Sequence, residues 1–227
     1  CRTMMELLKL PAMTPDQLKE LVKFDVGPQL RETLKERGIL LITAHYGNWE
    51  WLGARMAQEV PVTSIARDAA HDVTASIINN ARASHGNKII GREDLRRMIS
   101  ILRGKEILGI LPDQHALQGG ILRDFLGRPA WTFTGPALLA ARTGAQVLPM
   151  FCVRKDDGTF DVEVMPPVEL IDTGDRDADV AANTQTIMDA ISAAIRRHPE
   201  QWLWLHDRWK SKPADAGNTE ATTEVVQ

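Results

Sequence analysis

Cysteine is scarce in this chain: only Cys1 and Cys152 occur in 227 residues. That excludes a disulfide framework and a cysteine-rich zinc site, and a reducing compartment fits best. Long apolar runs are missing too. No window approaches the roughly 18 uninterrupted apolar residues of a membrane-spanning helix, and no signal-peptide pattern opens the sequence. Positive charge is not in excess, since 27 Lys and Arg face 30 Asp and Glu for a net charge of −3. Nucleic-acid binders carry a clear basic excess, so no nucleic-acid partner is expected. There is no internal repeat and no low-complexity linker.

What is present is ordinary globular material, 44% hydrophobic and 25% charged. The length suits a single core without a second full domain. Because residue 1 is Cys rather than Met, the expected organisation is one N-terminally truncated domain over 1–210. Residues 211–227, almost without bulky apolar side chains, read as a disordered tail.

Local signals divide the domain. Thr14-Pro15-Asp16-Gln17 reads as a helix start with a capping box. A second short helix is predicted from Pro28 to Glu36, stopped near Gly38. Strand-like runs then alternate with helical patterns. The strands are Ile39–Ala44, Val62–Ala66, Lys88–Ile90, Ile107–Leu111 and Gln146–Val153. The helices are Asn48–Gln58, Val73–Ser84, Glu93–Leu102 and Pro136–Ala141. Such alternation predicts an α/β fold with a mainly parallel, three-layer αβα sheet. Asp156-Asp157-Gly158 joins Gln146–Val153 to Thr159–Val164 as a late antiparallel hairpin, and a final helix runs from Val180 to Arg197.

The richest stretch is the apolar Ile39–Ala44 followed by His45-Tyr46-Gly47-Asn48-Trp49-Glu50. A histidine leaves a buried strand, and a carboxylate sits in the first turn of the next helix, where the dipole favours its ionised form. Held together, the two are candidates for a general base and its orienting group. Asp113 follows the apolar run Ile107–Leu111. If the two strands are neighbours, it stands on the same rim as His45, where ligands of parallel sheets gather. Arg82 lies on the Val73–Ser84 helix within a locally basic region: eight Lys and Arg against four Asp and Glu between Arg67 and Lys105. A guanidinium there is a candidate phosphate ligand, and Arg67 is a weaker one. Structural readings compete throughout: a His bonded to backbone, a solvated Glu50, a surface Arg82, an Asp113 capping a turn after Pro112.

Other residues offer less. His71, His85, His115, His198 and His206 make no metal pattern, and only His45, Glu50, Asp113 and His115 could supply an improvised site. Cys152 sits in an apolar strand as a small core residue. The tryptophans at 49, 51, 131, 202, 204 and 209 suit either a core or a bilayer interface. The Met-rich start, Met4 to Met13, reads equally as a lipid contact or a packing helix.

His-x4-Glu within Ala-His-Tyr-Gly-Asn-Trp-Glu resembles the first motif of the lysophospholipid acyltransferase superfamily, and its Gly-Asn-Trp-Glu form resembles the lipid A biosynthesis acyltransferase family. Glycerol phosphate acyltransferases more often end this motif in Asp. Further segments match in order: Leu111-Pro-Asp-Gln114, Phe125-Leu-Gly-Arg-Pro-Ala130, Thr134-Gly-Pro-Ala137, Arg142-Thr-Gly-Ala145, Val147-Leu-Pro149, Pro199-Glu-Gln-Trp-Leu-Trp204 and Arg208-Trp-Lys210. The resemblance, spanning about residues 10–210, implies a glycerolipid-acyltransferase-like fold. It also implies transfer of a fatty acyl chain from acyl carrier protein or acyl-CoA to a hydroxyl of a lipid A precursor or related glycolipid. In its terms His45 is the base, Glu50 its partner, and Arg82 and Asp113 bind substrate or complete the site. The oxyanion would be held by backbone N–H groups near Gly47 or by a nearby cation. No metal and no cofactor beyond the acyl donor is implied. The setting would be the cytoplasmic face of a bacterial inner membrane, with an anchor upstream of this sequence. Two other readings stay open: an acyl-thioester hydrolase, and a lipid-binding protein with a relict site.

Overall fold

A computed structural model describes residues 2–66, 73–116 and 119–210. The candidate Arg67, His71 and the tail from 211 therefore lie outside the described residues. In chain order the elements are α1 (Arg2–Leu7), α2 (Pro15–Leu21), β1 (Val22–Lys23), α3 (Gly27–Glu36), β2 (Ile39–Ile42), α4 (Trp49–Ala57), β3 (Val62–Ala66), α5 (Val73–Ala83) and β4 (Lys88–Gly91). Then follow α6 (Leu95–Arg103), β5 (Ile107–Ile110), β6 (Gly120–Phe125), β7 (Arg128–Phe133), α7 (Gly135–Thr143), β8 (Gln146–Arg154), β9 (Phe160–Val164) and α8 (Arg176–Arg197).

Among the described residues the main sheet has seven strands in the order β1-β9-β8-β2-β5-β3-β4. β8, β2, β5, β3 and β4 run parallel, while β9 returns antiparallel to β8 after the turn at Gly158. The expected mainly parallel sheet with a late hairpin is thus present. β2 lies near the middle, and all four of its residues are buried. Successive side chains of a strand point to opposite faces. Ile39 and Leu41 accordingly join one core with Leu7, Leu18, Leu30, Leu52 and Met56 from α1 to α4. Leu40 and Ile42 join the other with Leu102, Leu139, Met188 and Ile191 from α6, α7 and α8. Two apolar layers on one sheet give the three-layer architecture.

Caps fix where the helices begin. Thr14 and Gln17 form the reciprocal capping box expected from sequence, and Asn48 accepts the Trp51 N–H to start α4. The sequence reading missed two features. β1 is a two-residue edge strand pairing parallel to β9, too short to show a period. β6 and β7 form a separate antiparallel hairpin where no strands were expected. Leu126 and Gly127 make its tight turn with φ of 58° and 88°, a left-handed pair unusual for leucine. No helix among the described residues is long and apolar enough to cross a membrane.

Candidate active site

β2 and β5 are adjacent and in register, Ile42 opposite Ile110. His45 and Asp113 each follow three residues later, so both chains leave the sheet at the same rim. The His45 backbone N–H donates to Asp113 Oδ2 at 2.9 Å, and His45 Nδ1 lies 2.9 Å from Asp113 Oδ1. Trp202 Nε1–H donates to the same Oδ2 at 2.9 Å. Asp113 is buried at 1% exposure. Burial alone would raise its pKa, but the His45 charge and the three donors outweigh it and hold the carboxyl below the ordinary range. An ionised carboxylate only accepts, so Nδ1 carries the ring proton and Nε2 keeps its lone pair. Burial depresses the His45 pKa, yet the Asp113 charge, its hydrogen bond and the more distant Glu50 charge together raise it above 6.5.

Glu50 does not orient the histidine. Its carboxylate is taken by Arg82, whose Nε–H and Nη2–H donate to Oε2 and Oε1 at 2.8 and 2.6 Å, and by the Trp49 indole at 3.0 Å. Arg82 Nη1 donates to Asn79 Oδ1 at 3.0 Å. The expected pairing of His45 with Glu50 is thereby corrected: helix α4 turns the carboxylate toward α5, and the orienting group comes from β5. Arg82 is likewise held by a carboxylate of its own chain, so the free phosphate-binding guanidinium foreseen from the sequence is already partnered. Glu50 is 5% and Arg82 22% exposed on the side chain. Such a bidentate pair fixes α5 against α4.

The loop between His45 and Asn48 is pinned on every side. Gly47 has φ of 57°, and a Cβ there would come 2.0 Å from the Cys152 carbonyl oxygen. Gly47 N–H donates to Gln201 O at 3.0 Å, Asn48 N–H to Cys152 O at 2.9 Å, and Leu203 N–H to His45 O at 2.9 Å. Backbone donors at Gly47 and Asn48 are therefore already engaged, which removes these two from the candidates for holding an oxyanion and leaves the alternative of a nearby cation. From α1, Glu6 receives Asn48 Nδ2 at 2.9 Å and the Arg154 guanidinium at 2.8 and 2.6 Å. In the N-terminal segment Thr3, Glu6 and Leu7 pack inward, while Met5 and Leu8 are exposed.

Three residues at the site had no role in the sequence reading. Trp202 was one tryptophan among six, and only the fold shows its indole on Asp113. Gln114 Nε2 lies 3.3 Å from His45 Nε2. His206 Nε2 accepts the His115 N–H at 2.9 Å. The Asp113-Gln114 dipeptide was the available signal for Gln114; His206 carried none. Arg208 is fully buried, donates to Trp131 O and Thr132 Oγ1, and ties the segment after α8 to the β6–β7 hairpin. Cys152 is fully buried, and burial pushes its thiol pKa far up, so it is no nucleophile. Among the described residues no three His, Cys, Asp or Glu converge as a metal site.

His45, Glu50, Arg82, Gln114 and His206 line a cleft of about 2280 Å³ that continues past the apolar Met98, Ile110, Leu138, Leu139, Val168 and Leu170. Fold and site together define a class: a largely parallel three-layer α/β domain with a carboxylate-oriented histidine at the carboxyl rim of its sheet, facing a long cleft. The family model for bacterial lipid A biosynthesis acyltransferases matches residues 1–211, and the chain belongs to that family. It is 27% identical to a phosphatidylinositol mannoside acyltransferase of Mycolicibacterium smegmatis over 217 residues, 92% of this chain and 69% of that protein. It is 26% identical to the lipid A biosynthesis palmitoleoyltransferase of Escherichia coli K12 over 186 residues, 81% of this chain and 59% of the relative. With the lauroyltransferase of the same strain the identity is 29% over 182 residues, 79% and 58% of the two chains. The chain thus spans between about half and somewhat over two thirds of these relatives' lengths. The 1-acyl-sn-glycerophosphate acyltransferase PlsC of Thermotoga maritima superposes with a TM-score of 0.45 at 14% identity, covering 86% of this chain and 79% of that one.

Proposed function

We propose that this protein moves a fatty acyl chain from a thioester carrier, acyl carrier protein or coenzyme A, onto a hydroxyl of a glycolipid such as a lipid A precursor or a phosphatidylinositol mannoside. The observation that carries the reading is the lone pair of His45 Nε2, fixed by the Asp113 hydrogen bond and facing the cleft. The acceptor hydroxyl gives its proton to Nε2 as its oxygen attacks the thioester carbonyl. Asp113 stabilises the imidazolium, which returns the proton to the departing thiolate. Both substrates bind together, and no acyl-enzyme is needed. Glu50 of α4 and Arg82 of α5 form one wall of the site, and the thioester supplies the leaving group without a metal or further cofactor.

Three features support the substrates. The cleft exceeds the roughly 300–1,000 Å³ of small-molecule pockets, giving room for an acyl chain and a lipid headgroup. Helix α6, whose Leu95 and Met98 line the cleft, begins with exposed Arg96 and Arg97, neither in an ion pair among the described residues; Arg92 just before it lines the cleft and pairs with Glu93. Positive charge in a first turn opposes the helix dipole, which fits selection for an anionic carrier. Exposed Met5 on α1, Leu8 just after it, and Val73 and Ile77 on α5 suit contact with the cytoplasmic face of the inner membrane, with anchoring by further residues.

The test incubates palmitoyl-CoA or palmitoyl-acyl carrier protein with each glycolipid and follows acylated product by mass spectrometry. Acceptor-dependent transfer lost in His45→Ala is the expected result. Thiol release that ignores the acceptor would make the protein a thioesterase. Lipid binding without turnover, equal in the His45→Ala variant, would make it a binding protein.

A further inference from the structure

The nitrogen of His45 that takes the acceptor's proton is covered. Gln114 Nε2 stands 3.3 Å from it. Since Asp113 fixes the ring proton on Nδ1, the amide N–H of Gln114 points at the base's lone pair. The His45 side chain is 22% exposed and lines the cleft, so water in the cleft can approach the ring. Water there would react as the lipid hydroxyl does. Its proton would pass to Nε2, a C–O bond would form, the C–S bond would break, and the thiolate would take the proton back. The acyl chain would be lost as free fatty acid.

We propose that Gln114 is the specificity-determining residue that suppresses this hydrolysis, its amide capping Nε2 until an anchored lipid hydroxyl displaces it. This rests on the acyl-transfer reading above. The contact is longer than the roughly 2.7–3.2 Å of a well-formed N–H hydrogen bond, so displacing it is easy for a lipid held by the rest of the cleft. Water brings no such remote binding energy. The cap is also well seated. On one side the Asp113 side chain is fixed by three donors. On the other, the His115 N–H is fixed by His206. The backbone around Gln114 is thus held, and its side chain lines the cleft.

The test compares wild type with Gln114→Ala. Thiol release from palmitoyl-CoA and palmitoyl-acyl carrier protein is measured without acceptor, and transfer is measured with phosphatidylinositol mannoside and a lipid A precursor. Loss of one neutral hydrogen bond should raise the hydrolysis-to-transfer ratio by roughly two- to tenfold. The His45 pKa, followed by NMR, should rise because the neutral ring loses a donor. An unchanged or lower ratio overturns the proposal. Gln114→Met, of similar length but without a donor, repeats both readouts if the alanine variant does not fold. In His45→Ala, with or without Gln114→Ala, both activities should vanish. Their survival would overturn the acyl-transfer reading itself, a result distinct from an unchanged ratio.

Discussion

Replacing Asp113 with asparagine probes the base and its orienting group directly. The carboxylate accepts three donors: His45 Nδ1–H on Oδ1, and the His45 backbone N–H and Trp202 Nε1–H on Oδ2, all at 2.9 Å. Asparagine offers one oxygen and one NH2. With its oxygen in the Oδ2 place, it satisfies two donors and turns the NH2 toward Nδ1. The imidazole then shifts its proton to Nε2, and the lone pair facing the cleft is gone. The opposite orientation leaves two buried donors facing an NH2, at about 1–3 kcal/mol for each unsatisfied group. The first arrangement should therefore win by about 2 kcal/mol or more, a tautomer bias of roughly thirtyfold or greater. Loss of the charge that stabilises the imidazolium adds to this. The same change in a Ser-His-Asp triad lowers kcat by about 10⁴ with the geometry intact, and a loss of that order is expected here. Acyl transfer measures the rate, and ¹⁵N shifts of the His45 ring identify the tautomer. A kcat within tenfold of wild type, or a ring still protonated on Nδ1, would refute the reasoning.

Four further outcomes follow from the same geometry. Because the Asp113 and Glu50 charges more than offset burial and raise the His45 pKa, the rising limb of kcat/KM should lie above pH 6.5, and a limb at or below it refutes the assignment. The sign for stability is opposite: the protonated ring favours the fold, so this contribution is full below 6.5 and fades as pH rises through the folded pKa, as urea midpoints across pH would record. Glu50→Gln should leave the His45 tautomer unchanged while lowering unfolding free energy by about 3 kcal/mol, as for a broken buried pair; a tautomer change would return Glu50 to the role of orienting group. Gly47→Ala brings a Cβ within 2.0 Å of the Cys152 oxygen at φ of 57°. It should destabilise by about 3 kcal/mol or more, and an unchanged melting temperature would show that the loop can yield.

Much of the fold was legible because its signals are local. The apolar Ile39–Ile42 run, the Thr14 cap and the Asp156-Asp157-Gly158 turn each act within a few residues, and the corresponding elements appear close to their expected bounds. The β6–β7 hairpin was not legible, since its turn uses a leucine at positive φ that tertiary contacts must hold in place. Strand ends, a basic region and the resemblance singled out His45, Glu50, Arg82 and Asp113; the first three line the cleft, and Asp113 lies buried against the His45 ring.

The sequence by itself determined which residues stand at strand ends and helix starts; whether they meet depended on which strands lie side by side. Which carboxylate touches which cation it could not determine. Glu50 is five residues from His45 and Asp113 sixty-eight, yet Asp113 holds the ring. The parallel register of β2 on β5 places Asp113 beneath His45, while the first turn of α4 sends Glu50 across to Arg82. Hydrogen-bond partners are set by direction over a few ångströms, and only the packed sheet and helices supply that direction.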